Sequence, residues 1–195
     1  PLRCVWWAEF HLLAVGPVTR LEDTVKFPEG VPSHRGAYCA TNTVPGADRI
    51  EFDPALTAGG PAKLLLTQGK LAITDALTIT GPGANLLTID ASGSDPTAGL
   101  KDGKGSRIFN IDNGMSTLID VSLSGLRLTG GDVNGDGGAI RAADALTLRE
   151  VTGERNSAMF RGGGIDVYCA GVEFVPRPSH LFAGYVSHST GGGVA

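Results

Sequence analysis

The sequence predicts an all-β chain wound as a right-handed parallel β-helix, a solenoid, behind an irregular N-terminal cap. Three observations predict it. From residue 46 onward, apolar runs of three to six residues, rich in Leu, Ile, Thr and Val, alternate with Gly, Asp, Asn and Pro. Several of these runs recur at a similar spacing. No helical period of any length appears after residue 46.

The recurrences decide between β folds. Asp75-Ala76-Leu77-Thr78-Ile79 returns as Asp144-Ala145-Leu146-Thr147-Leu148, 69 residues later. Leu123 to Leu128 fits the same frame 23 residues before Leu146, and Thr129-Gly130 precedes Thr152-Gly153 by 23. A second series is Gly137-Gly138-Ala139-Ile140, Gly163-Gly164-Ile165 and Gly192-Gly193-Val194, whose apolar ends lie 25 and then 29 residues apart. A period of 23–29 residues suits one coil stacked on the next at ~4.8 Å. The rival is an antiparallel sandwich or jelly roll. Its hairpins need two-residue turns, which Asp102-Gly103, Asn113-Gly114, Asn134-Gly135 and Asp136-Gly137 offer. It leaves the repeated segments without a reason, so the solenoid is preferred.

In chain order, residues 1–45 read as a cap or leader remnant. Trp6, Trp7 and Phe10 suit an apolar plug over the first coil, and Pro17, Pro28, Pro32 and Pro45 argue against long regular elements. The remainder, 46–195, reads as the repeat domain. Residues 47–56 give a strand and a turn at Asp53-Pro54, 63–74 two strands around Gln68-Gly69, and 76–90 two strands around Gly81-Pro82-Gly83. Residues 91–106 form a wide loop. Residues 107–112 are a strand, and Asp120 to Val151 is the clearest coil. In 168–190 the pattern diverges, with Pro176 and Pro178 where a strand should run. The start at Pro1 and the end at Gly191 to Ala195 read as those of a fragment of a longer protein.

Composition bounds the function. The 29 glycines are about twice the usual ~7%, follow no three-residue period and cluster where a chain would turn corners. A net charge of −4 without a basic stripe argues against nucleic acid as a partner. No run reaches the ~18 apolar residues of a membrane-spanning helix. Cys4, Cys39 and Cys169 are far apart and lack metal-ligand spacing. Unrelated buried thiols are the preferred reading, against a Cys4–Cys39 disulfide in an exported protein.

Residues 45–56, 71–93, 107–112, 121–131, Gly137 to Ile140 and Gly162 to Ile165 together resemble large bacterial surface proteins built on right-handed parallel β-helix repeats. These include polymorphic outer-membrane protein repeats and exported proteins with CSLREA-type and choice-of-anchor domains. The resemblance implies an extracellular or cell-surface protein, adhesive or structural, with cell-surface glycans or partner proteins as ligands. It implies no catalytic residues.

Three chemistries are weighed against plainer readings. Asp132, Asn134 and Asp136, followed by Gly137, match the first half of a calcium loop. The closing Glu is absent, Ala143 standing at its position, and a polar Gly-rich corner is the plainer reading. β-Helix folds also host polysaccharide lyases and glycoside hydrolases, which need gathered carboxylates. Asp90, Asp112, Asp120 and Asp144 stand at strand ends, with Arg107, Arg127, Arg141 and Arg149 to balance them. Solvated corner acids and arginines lying over the sheet are the plainer account. His34, His180 and His188 lie outside the repeats, without acids or cysteines at ligand spacing. The expectation is therefore a surface repeat protein without catalysis. A polysaccharide-active enzyme is the alternative, and three carboxylates with an Arg or Lys in one groove would be its mark.

Overall fold

Among the described residues of the computed structural model every strand pairing is parallel, which excludes the antiparallel sandwich there. The structure describes residues 17–24, 33–43 and 45–168, with the backbone of Val172–Phe174 and Val186–His188. Trp6, Trp7, Phe10, Pro176, Pro178 and His180 lie outside the described residues.

The chain is a β-solenoid of about four turns, with one short α-helix among the described residues. Coil one holds β1 (Asp48–Glu51), β2 (Ala62–Leu65) and β3 (Leu71–Ile73), and coil two holds β4 (Leu77–Thr80), β5 (Leu87–Asp90) and β6 (Phe109–Ile111). Coil three holds β7 (Asp120–Ser124), β8 (Arg127–Thr129), β9 (Asp132–Val133) and β10 (Ile140–Ala142). Coil four holds β11 (Ala145–Arg149), β12 (Thr152–Glu154), β13 (Ser157–Ala158) and β14 (Ile165–Val167). Two more strands, β15 (Val172–Phe174) and β16 (Val186–His188), pair with β11 and β14. Three long faces result: β1-β4-β7-β11-β15, β2-β5-β8-β12 and β3-β6-β10-β14-β16, with a small β9-β13 pair beside them.

Alternation along each strand sends every second side chain inward. Inward residues stack coil on coil: Ile50, Ile79, Leu123 and Leu148 form one rung, Leu71, Phe109, Ile140 and Ile165 another. All eight are at most 1% exposed. Arg49, Thr78, Ser122 and Thr147 form the outward row beside the first of these rungs, which explains why Leu and Ile alternate with Thr and Ser in the sequence.

The register corrects the spacing read from sequence on two faces. Leu146 stands opposite Val121, and Leu148 opposite Leu123, so the step there is 25 residues rather than 23. Thr152 likewise stands opposite Arg127, not Thr129. A slip of two keeps inward residues inward, so side-chain pattern alone cannot expose it. The 25-residue step from Ile140 to Ile165 is as read, and the two Asp-Ala-Leu-Thr segments do fall on one face. The next strand on the Ile165 face begins at Val186, opposite Ile165, where the sequence spacing had pointed to Val194.

Gly137 and Gly162 occupy the same corner on successive coils, with φ of 65° and 53°. A Cβ at either would lie about 2 Å from a carbonyl oxygen, Ile140's or Ile165's. That close approach is the reason for the Gly-Gly repeat.

Residues before coil one lie against it. Val18 pairs with Phe52 as a parallel bridge. Helix α1 (His34–Thr41), eight residues long, begins at Ser33, whose hydroxyl oxygen accepts from the Gly36 amide at 3.2 Å. It buries His34, Ala37 and Tyr38 beside Phe52 and Phe109. The sequence reading, weighted by four prolines, foresaw no helix here. Asp23 ties this segment down: its carboxylate takes the amides of Thr67 and Gln68 and an ion pair from Arg35. Burial pushes the Asp23 carboxyl upward, but Arg35 and those amides outweigh it and hold it below the ordinary value. Cys39 is disulfide-bonded, so the reading of unrelated thiols is overturned for this residue; the other half of the bond lies outside the described residues.

Candidate functional site

The wide loop after β5 builds one wall of a cleft of about 470 Å³. The opposite wall is the corner between β8 and β9 with its neighbour one coil on, between β12 and β13. Asp90, Asp95 and Asp132 line it together with Lys101, Arg155 and Leu100.

Local chemistry places each acid. Asp90 ends β5 and caps the 3-10 turn Ala91–Ser94, its Oδ1 accepting from the Ser92 amide at 2.9 Å. Its Oδ2 takes the Lys63 ammonium at 3.0 Å. Burial raises the Asp90 carboxyl, yet Ser92 and Lys63 reverse this and leave it below the ordinary value. Asp95 accepts from the Thr97 amide at 2.8 Å, an Asx turn within the loop. Asp132 is buried. Its Oδ2 accepts the amides of Asp102 and Gly103 at 3.1 and 2.9 Å, and its Oδ1 accepts from the Ser157 hydroxyl. Asp132 therefore clasps the loop's return and joins coil three to coil four.

Carboxylate oxygens of Asp95, Asp102 and Asp132 lie within 4.8 Å of one another. Lys104 pairs with Asp102 at 2.7 Å and offsets part of that charge. The calcium motif distributes differently. Asp132 faces Asp95 and Asp102, while Asp136 accepts from the Arg161 amide at 3.0 Å and offers its carbonyl to Arg107 at 3.0 Å. Asn134 backs the loop, its main chain against Gly103.

The candidate carboxylates of the repeat do not gather in one place. Asp90 is in the cleft. Asp112 and Asp144 hold the 112–119 turn: Asp144 takes the amides of Asn113 and Ile119 at 2.9 and 3.2 Å, Asp112 that of Gly114 at 2.9 Å. Asp120 is exposed at the start of β7. Among the arginines, Arg127 bonds the Glu154 carboxylate at 3.1 Å and the Ala84 carbonyl at 3.2 Å, and Arg149 is exposed. Arg107 and Arg141 come together on the β6-β10-β14 face. Asn110, Arg141 and Asp166 form one rung there, and Arg141 lies 4.5 Å over the Tyr168 ring. Burial, then Arg141, pull the Arg107 guanidinium below its ordinary value, with Asp136 and Asp166 opposing. Tyr168 donates to Asp112 at 3.1 Å.

Sequence reasoning missed Asp95, Lys101, Asp102 and Arg155. The loop 91–106 has no periodicity to assign its residues to a wall. Only the coil register shows that Arg155 follows Gly130 on the neighbouring turn. His34 is fully buried against Tyr38 and Phe52, and its ring nitrogens have no hydrogen-bond partner among the described residues. Burial depresses it to about 3.

Compared with protein-family models, curated proteins and solved structures, the chain finds no match.

Proposed function

We propose that the chain is part of an exported bacterial surface protein with a structural or adhesive role, its coils a rigid support and its loops the recognising surface. The observation that carries this reading is how the cleft acids are employed. Asp90 and Asp132 each have both oxygens engaged, in an ion pair or in clasping the loop. Acid–base catalysis needs carboxylates turned toward the substrate. These two are turned toward groups of their own chain: backbone amides, the Lys63 ammonium and the Ser157 hydroxyl. The Cys39 disulfide supports an oxidising, extracytoplasmic setting. Cell-surface glycans or partner proteins are the ligands that such a surface would meet.

One observation favours a second reading, a polysaccharide lyase or glycoside hydrolase: three carboxylates, a lysine and an arginine share one cleft. Incubating the purified chain with pectic, alginate and neutral plant polysaccharides separates the two. The surface reading expects no new reducing ends and no unsaturated sugar product. Release of either, abolished by Asp132→Asn or Asp95→Asn, establishes the enzyme instead.

A further inference from the structure

The chain holds four links in which an acid or its amide precedes glycine: Asp102-Gly103, Asn113-Gly114, Asn134-Gly135 and Asp136-Gly137. Such a link is reactive because glycine has no side chain to keep its main-chain nitrogen from the preceding Cγ. Reaction needs two freedoms. The glycine amide must lack a partner, and the preceding side chain must be able to swing onto it.

Three of the links lack the first freedom. The Gly103 amide donates to Asp132 at 2.9 Å, that of Gly114 to Asp112 at 2.9 Å, and that of Gly137 to the Arg161 carbonyl at 2.8 Å. Asn113 lacks the second as well. Its Oδ1 accepts from the Met115 amide at 2.8 Å, and its Nδ2 donates to the Thr117 carbonyl at 2.7 Å. Asn134 differs on both counts. It is exposed, and among the described residues neither its side chain nor the Gly135 amide has a hydrogen-bond partner.

We infer that Asn134 is a site of spontaneous deamidation and that the fold protects Asn113 from the same reaction. The Gly135 main-chain nitrogen attacks Asn134 Cγ and forms a C–N bond. The Cγ–Nδ2 bond breaks, and the side-chain nitrogen leaves as ammonia with the proton of the Gly135 amide. The ring so closed is a succinimide. Water then adds to one of its two carbonyls, giving aspartate at position 134 or its isoaspartyl isomer. Either product adds a negative charge between Asp132 and Asp136. The isomer also lengthens the main chain by a methylene where Asn134 backs the wide loop, since a Cβ on Gly103 would lie 3.1 Å from the Asn134 amide nitrogen. The support of the cleft loop is thus altered without any enzyme, and this holds whatever the cleft binds.

The test is to incubate the purified chain in warm, mildly alkaline buffer, digest it, and follow Asn, Asp and isoaspartate at positions 113 and 134 by mass spectrometry. Conversion at 134 is expected to be at least about tenfold faster than at 113, because the three hydrogen bonds that hold the 113 link together exceed that factor. Isoaspartate is expected among the products at 134, as the mark of the succinimide route. In urea, where both links are free, the two positions are expected to convert at similar rates. Gly135→Ala puts its Cβ in ordinary contact, 3.4 Å from Arg107 Nη2, and is expected to slow conversion at 134 several-fold at an unchanged melting temperature. Equal rates at the two positions in the folded chain, faster conversion at 113, or the same bias persisting in urea overturns the assignment. So does aspartate without isoaspartate at 134, or undiminished conversion in Gly135→Ala.

Discussion

Glu150 stands one coil beyond Gly125, at the same left-handed corner, with φ of 53° against 61°. The register Ser124 to Arg149 places them there. The bend recurs on coils three and four, and Gly125 is also crowded: a Cβ on it would lie 2.6 Å from the Gly81 carbonyl oxygen. Glu150→Gly relieves ~1–2 kcal/mol of backbone strain and gives back ~0.5–1 in unfolded-state entropy. A net gain of roughly 0.5–1 kcal/mol is expected, read as a higher denaturation midpoint. Gly125→Ala incurs both strain and collision, and a loss above ~2 kcal/mol is expected in the same experiment.

The inward rungs predict where truncation hurts most. Leu123 is fully buried between Ile79 and Leu148 on adjacent coils. Leu123→Ala should cost ~2–5 kcal/mol by urea denaturation, since rigid stacked coils collapse poorly around a cavity. The outward neighbour Ser122→Ala should stay within ~0.5 kcal/mol.

The buried histidine makes the cap acid-sensitive. His34 falls from 6.5 to about 3 because burial disfavours its charged form; Asp23 raises it and Arg35 lowers it, and buried Tyr38 packs against its ring. Its folded value lies below its unfolded one, so the unfolded chain binds the extra proton. The neutral ring's stability is complete above about pH 6.5 and declines as pH falls toward 3. The decline is at most ~4–5 kcal/mol. His34→Phe should flatten that part of a stability-against-pH curve. Asp23 and Asp90, both held low, lose their contribution only at lower pH, below the ordinary carboxylate value of 3.8. Unchanged steepness between pH 6.5 and 4 in His34→Phe would contradict the assignment.

Reduction offers a separate handle. The Cys39 disulfide restrains the segment packed on coil one. Dithiothreitol should lower stability by ~2–4 kcal/mol. Cys39→Ser should lose a similar amount and then be insensitive to the reductant.

Much of the fold was legible because the solenoid writes its period into side-chain alternation. The Asp-Ala-Leu-Thr and Gly-Gly-x-Ile segments mark equivalent positions. The phase was less legible: Leu123 against Leu146 and Leu148 differ only by a slip of two, which leaves burial unchanged. Helix α1 was hidden because eight residues between prolines carry too little period to stand out from a loop. The cleft was hidden for another reason. Asp95, Lys101 and Arg155 meet only because a loop of coil two reaches over coils three and four, and sequence separation says nothing of that reach. Asp132 was singled out as a metal ligand from its local motif. The structure gives it amide partners 29 and 30 residues away.

The central claim is that this chain works outside the cell as a displayed surface. Brief protease treatment of intact cells of the source organism tests it most directly, followed by mass spectrometry of the released peptides. The account predicts release of peptides cut at Lys101 or Lys104, in the loop facing the cleft, without lysis. Release only after lysis, with an extracellular control protein cleaved in the same sample, contradicts it.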